Sequence, residues 1–171
     1  MTAGRLRLRP LRDVDEAEFA AAHQAMLADG FEFGLGYVAG TSWPAYLDML
    51  EAHRRGVDLP AGHVPGTFLV ADVGGRIVGR SSIRHQLNEF LAREGGHIGY
   101  GVLAAHRRRG HATEILRQSV IIARSVGVDR VLVTCDEDNV GSAGVIERCG
   151  GTFESLIDVE GGPRKRRYWI E

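Results

Sequence analysis

The sequence predicts an α/β protein: a mixed, mostly antiparallel twisted sheet with a central parallel strand pair and about four helices. Three observations carry this expectation. Short runs at residues 5–9, 67–73, 76–84, 97–103, 131–135, 152–159 and 166–170 are continuously apolar or alternate with polar residues, as strands do. Other stretches place apolar residues at helical spacing, most clearly Ala112, Ile115, Leu116, Val120, Ala123 and Val126. Residues 97–135 then read as strand, helix and strand, a βαβ unit that implies parallel neighbours and a right-handed crossover.

Size and composition bound the answer. At 171 residues the chain is expected to form one domain over residues 1–171, long enough for a real core. With 44% hydrophobic and 25% charged residues it has the composition of an ordinary globular protein. A net charge of -1 gives no general reason to expect nucleic acid or an anionic membrane as partner. Residues 1–12 are polar and basic without the apolar core of a secretory signal, and no run of about 18 apolar residues occurs that would span a bilayer. Cys135 and Cys149 are too few for a disulfide framework or a zinc knuckle. A cytoplasmic location is the resulting expectation. The 23 glycines predict frequent sharp turns and close backbone approaches.

Taken in order, residues 5–9 alternate with period two and end at Pro10. Asp13-x-x-Glu16 reads as a capping box opening a helix that carries Phe19, Met26 and Leu27 and stops at Gly30. Residues 31–41 are a glycine-rich loop. Ser42 is the expected N-cap of a second helix, with Pro44 in its first turn and Gly56 as its stop. After an irregular stretch to Gly66, Gly74-Gly75 turns one strand into the next. Residues 85–96 link that hairpin to the strand at 97–103. Arg107, Arg108 and Arg109 then stand just before Gly110 and a long amphipathic helix stopped by Gly127. Unpaired N–H groups at that helix start, beside three cations, make an anion site. The strand at 131–135 leads through Asn139, a natural N-cap, into a helix over 140–148, and two strands joined by Gly161-Gly162-Pro163 close the chain.

The loop Arg107-x-x-Gly110-x-Ala112 resembles the acyl-CoA pyrophosphate loop of the GNAT superfamily of N-acyltransferases, Q/R-x-x-G-x-G/A. The segment 139–150 is similar to that family's N-x-x-A-x-x-L-Y-E-K-x-G, and the element order is similar over essentially the whole chain. The run GGHIGYGV with Cys135-Asp-Glu-Asp-Asn139 looks like a bacterial group of acetyltransferases. The resemblance implies a GNAT-like sheet and direct transfer of acetyl from acetyl-CoA (coenzyme A) to an amine of a small molecule or peptide. It also implies cofactor-binding roles for Tyr100, Gly101, Val102, Arg107, Arg108, Arg109, Gly110, His111, Ala112, Thr113, Asn139 and Ser142. Amides around Tyr100 to Val102 would stabilise the oxyanion. Two departures matter. Ile146 stands where the family's acid, a tyrosine, is usual, and Thr134 stands where some members carry a glutamate base.

Reference pKa values say which loss is felt. A thiol at about 8.5 leaves tolerably as thiolate without an acid, whereas a lysine-like amine at about 10.4 is almost wholly protonated at neutral pH. Base assistance therefore matters more. Glu89 and His97 are the foremost candidates, with Glu94 and Asp136 behind them, because all flank the presumed parallel strands. Asp29, Glu32, Asp48, Glu51 and Asp58 lie among Phe31, Phe33, Tyr37 and Trp43 in the region that folds over the acceptor in GNAT proteins. They either solubilise a helix and two loops or, with the aromatics, attract a cationic acceptor. A homodimer is compatible with the sequence, which specifies no assembly.

Other readings are weaker. Gly99-x-Gly101-x-x-Ala104 matches a dinucleotide fingerprint formally, but its glycines lie inside an apolar strand rather than opening a helix. His106 and His111 lack helical ligand spacing, so no metal is expected. A nucleic-acid module would need a basic excess that is missing. A non-catalytic acyl-CoA sensor of the same fold is the main alternative, favoured by Ile146.

Overall fold

The computed structural model describes residues 4–171. Strands β1 (Arg7–Arg9), β2 (Gly66–Val73), β3 (Arg76–Arg84) and β4 (Ile98–Val102) form one sheet in that order. Strands β5 (Val131–Asp136), β6 (Thr152–Ile157) and β7 (Lys165–Ile170) form a second, with β7 in the middle. Four helices accompany them: α1 (Glu16–Ala28), α2 (Trp43–Arg55), α3 (His111–Ser125) and α4 (Val140–Arg148). Gly74 and Gly75 both hold φ in the left-handed region, the requirement of the tight turn joining β2 to β3.

Alternation along β2 assigns its side chains to two layers. Phe68 and Val70 join Phe19, Phe33, Trp43, Tyr46 and Ile77 in a core under α1 and α2. Leu69 faces the other way, into a core of Ile83, Ile98, Leu116, Val120, Val131, Val133 and Ile146 that α3 closes and α4 shares. The ring of Phe19 lies 5.2 Å from that of Tyr37, 5.3 Å from that of Trp43 and 6.2 Å from that of Phe68, so aromatic packing fixes the 31–41 loop and α2 on the sheet.

Three expectations change. Every strand pairing among the described residues is antiparallel, and the expected central parallel pair does not form a ladder: β4 pairs only with β3, and β5 only with β7. The link at 85–96 contains a wide, π-type helical turn, Leu91–Gly95. The residue at the start of α1 is Asp15, not Asp13, and its side chain does not cap the helix: the carboxylate turns back to accept the Arg12 N–H at 2.7 Å and the Arg9 guanidinium at 2.6 Å.

Candidate active site

The site begins where β4 and β5 part. Leu103 N–H donates to the Val78 carbonyl at 2.9 Å and Arg84 N–H to that of His97 at 2.7 Å, which with the β3–β4 register turns the backbone groups of Gly99, Gly101 and Leu103 toward β3. Antiparallel alternation then turns the N–H groups of Tyr100 and Val102 to the opposite, unpaired edge. His97 holds the two sheets together at one end. Its N–H donates to the Leu132 carbonyl at 2.7 Å, and its Nδ1 accepts the Leu132 N–H at 2.9 Å. Beside this clamp, Thr134 Oγ1 donates to the Glu94 carbonyl at 2.7 Å. Further along β4 a cleft of about 980 Å³ lies between that strand, the start of α3 and the start of α4.

At one side of the cleft, the N–H groups of residues 108–113 find no acceptor among the described residues; the first bond of α3 is from Glu114 N–H to the Gly110 carbonyl. Two residues shape this run. Gly110 has φ 80° with open space where a side chain would be, and Arg108 has φ 62°, a strained setting for a residue with a Cβ. Successive N–H groups in such alternating conformations form a concave anion cradle, reinforced by the positive end of the helix. Arg107 braces it from behind: Nε donates to the Val102 carbonyl at 3.0 Å and Nη2 to the Asp29 carboxylate at 3.2 Å.

The opposite wall is the first turn of α4. Asn139 Oδ1 accepts the Ser142 N–H at 3.0 Å, capping the helix as expected of that residue. Ser142 Oγ lies 2.8 Å from the Tyr100 hydroxyl, tying α4 to β4 across the cleft. Burial pushes the Tyr100 phenol up to about 12, so it is neutral at ordinary pH.

Tyr100, Gly101, Val102, Arg107, Arg108, Gly110, His111, Ala112, Thr113, Asn139 and Ser142 all line this one cleft, while Arg109 stands outside the lining. The two foremost base candidates lie elsewhere. Glu89 is exposed beside the wide turn and does not reach the cleft. His97 is 6% exposed, with Nδ1 bonded to backbone and its pKa pushed down to about 4 by burial and by Arg84. It is a clamp between sheets, not a base facing a substrate. Asp136 is paired with Lys165 at 2.6 Å. Ile146 is fully buried in the core, so no proton donor replaces the usual tyrosine from that position.

The acceptor region also differs from expectation. Asp29 is paired with Arg107 and Glu51 with Arg54, while Phe33 and Trp43 are buried core residues. Phe31 alone of the named aromatics lines the cleft. Sequence reasoning passed over Arg80 and Arg84, which share one face of β3; the signal was two cations at even spacing in an otherwise buried strand. The described residues hold no grouping of three His, Cys, Asp or Glu side chains suited to a metal, and no described helix is long and apolar enough to cross a membrane.

Solved structures share this architecture. RimJ of Mycobacterium smegmatis, in complex with CoA-disulfide, is 22% identical with a TM-score of 0.71 over 98% of this chain and 82% of its own. An acetyltransferase from Agrobacterium tumefaciens is 22% identical with a TM-score of 0.64, covering 100% of this chain and 93% of its own. The yncA protein of Salmonella typhimurium, with its cofactor acetyl-CoA, is 16% identical with a TM-score of 0.66 over 97% of this chain and 93% of its own. At such identities the likeness is one of fold. No protein of curated function matches the sequence. Residues 5–152 match the acetyltransferase (GNAT) domain family, and on that match, with the splayed strands and the anion cradle in place, the chain belongs to the GNAT acetyltransferases.

Proposed function

We propose that the protein transfers an acetyl group from acetyl-CoA to a primary amine. The single observation behind this reading is the run of free N–H groups at residues 108–113, which opens into the cleft beside the unpaired edge of β4. These groups and the Arg108 side chain fit a diphosphate, because each can donate to an oxyanion without breaking a bond elsewhere. Acetyl-CoA, when bound, supplies an acyl thioester.

The chain's own residues do the rest. Residues 108–113 hold the diphosphate, and the Tyr100 and Val102 N–H groups face the reacting carbonyl oxygen, where negative charge develops. Asn139 fixes the first turn of α4 on the far side. The amine approaches over Gly99, since Phe31 covers Gly101, its ring 2.7 Å from where a Cβ would stand. With a thiol pKa of about 8.5, departure of the thiolate needs no donor at position 146.

Titration calorimetry with coenzyme A, followed by a turnover assay against a panel of primary amines, tests the reading. Micromolar binding together with amine-dependent thiol release is the expected result. Tight binding without release for any amine would turn the reading into that of an acyl-CoA sensor, the role that the buried Ile146 favours.

A further inference from the structure

On the acetyl-transfer reading, which this inference presupposes for its substrate, we propose that the acceptor amine carries a carboxylate, held by the guanidinium groups of Arg80 and Arg84 above Gly99. The two arginines project from the same face of β3, four residues apart. A Cβ built on Gly99 would stand 3.4 Å from Arg84 Nη1 and 3.6 Å from Arg80 Nη1, so both cations converge on one point of β4. That point lies two residues along the strand from Gly101, which lines the cleft. Neither arginine pairs with a carboxylate among the described residues.

Such an arrangement opposes folding unless something offsets it. Burying a cation is costly, and placing two like charges together adds to that cost. Arg80 is held rigidly: Nη1 donates to the Gly99 carbonyl at 3.1 Å, Nη2 to that of Glu32 at 2.8 Å, and the Phe31 ring lies 4.6 Å from its Cζ. Its Nε is buried with no partner. Arg84 is satisfied less well still, with only long contacts of 3.4 and 3.5 Å to the Gly95 and Gly96 carbonyls. Its remaining donors are free to turn toward Gly99. Burial lowers the pKa of both groups, yet both stay cationic at neutral pH, Arg80 at about 10.

A carboxylate between them would supply the missing counter-charge and accept the forked donors that guanidinium groups present. Two fixed cations would also lower the pKa of an ammonium brought beside them, which favours the free amine where Asp29, the carboxylate that lines the cleft, is already paired with Arg107. Of the carboxylates in the 28–66 region, Asp29 and Glu51 already have cationic partners, and Glu32 offsets part of the charge on Arg80 without forming an ion pair with it.

The test pairs each amino acid with its amide, rates being expressed per free amine because the amide has the less basic nitrogen, in steady-state assays of the wild type and of Arg84→Gln. The wild type is expected to favour the carboxylate by at least about tenfold in kcat/KM, the scale of one charge-assisted hydrogen bond. Arg84→Gln should erase that preference by raising the acceptor KM, with the acetyl-CoA KM and coenzyme A affinity unchanged. Arg84→Lys should restore part of it. Equal use of acid and amide by the wild type, or an equal loss for both in Arg84→Gln, overturns the proposal. A second measurement needs no turnover: N-acetyl amino acids titrated into the coenzyme A complex and followed by NMR. Binding that weakens in Arg84→Gln, with no transfer to any amine, would sink the transfer reading and leave the carboxylate site standing. Absence of binding together with absence of selectivity would sink the site while transfer stands.

Discussion

His97 concentrates more of the molecule's stability than its one-letter context suggests. Nδ1 accepts the Leu132 N–H in a buried setting, so the ring must stay neutral for the clamp to hold. Its pKa falls from the ordinary 6.5 to about 4. The unfolded chain therefore binds the extra proton first, and stability rises with pH between about 4 and 6.5. The contribution is complete above 6.5 and is lost as pH falls through that window. Replacing the ring, as in His97→Phe, leaves the Leu132 N–H unsatisfied and should cost about 1–3 kcal/mol at pH 7. Chemical denaturation at several pH values should show that loss and a shallower pH slope; an unchanged slope would remove His97 from the role. Tyr100 allows a complementary expectation. With its pKa at about 12, its ionisation lies beyond an accessible rate profile, and Tyr100→Phe should keep turnover within a few fold. A large loss together with a vanished high-pH limb would make Tyr100 the acid. Gly110 and Asn139 were legible in the sequence because backbone conformation and capping are local. The clamp was not, because His97 acquires its partner from a strand 35 positions away.

At the scale of elements, the helices and strands followed from apolar spacing, and the hairpin turn from Gly74-Gly75. The parting of β4 and β5 did not. Apolar runs at 97–103 and 131–135 are what a parallel pair requires, and they are equally what two buried edges beside a shared α3 require. The decision lies in partners that local pattern does not encode: β7 takes one edge of β5, and the short β4 ends at Val102, whose carbonyl accepts the Arg107 Nε–H. The wide turn at Leu91–Gly95 had no periodic signal because it is a single turn. The β3–β4 pairing, in contrast, depends on a visible feature, Gly79. A Cβ there would meet the Gly101 carbonyl oxygen at 2.4 Å and the Ile115 side chain at 3.1 Å. Because the first of these is backbone, relief requires the strands to separate. Gly79→Ala should therefore cost about 1–3 kcal/mol and weaken coenzyme A binding through the displaced β4 edge. Equal stability and affinity in calorimetry would show that β4 is not held where the cleft needs it.

At the scale of the whole molecule, two sheets meet through the His97 clamp at one end and through helix packing behind, with a cleft where a continuous sheet would otherwise run. A ligand that fills the cleft and bonds to both walls is then a structural element in its own right. It binds the folded state and not the unfolded chain, so it stabilises by mass action. At a ligand concentration of 100 times Kd the gain is about 2.7 kcal/mol. For a domain of this size each kilocalorie per mole raises Tm by about 2–4 °C, so coenzyme A should raise Tm by roughly 5–11 °C. The cradle at residues 108–113 sets where that gain originates. Gly110→Val places a β-branched residue at φ 80°, which disturbs the cradle and costs about 1–3 kcal/mol of strain in the free protein. The variant should unfold cooperatively at a somewhat lower Tm and show no shift with coenzyme A. Scanning calorimetry of both proteins, each with and without the ligand, separates the two effects. A wild-type shift that survives in Gly110→Val would move the diphosphate site away from α3, even if the protein still binds coenzyme A.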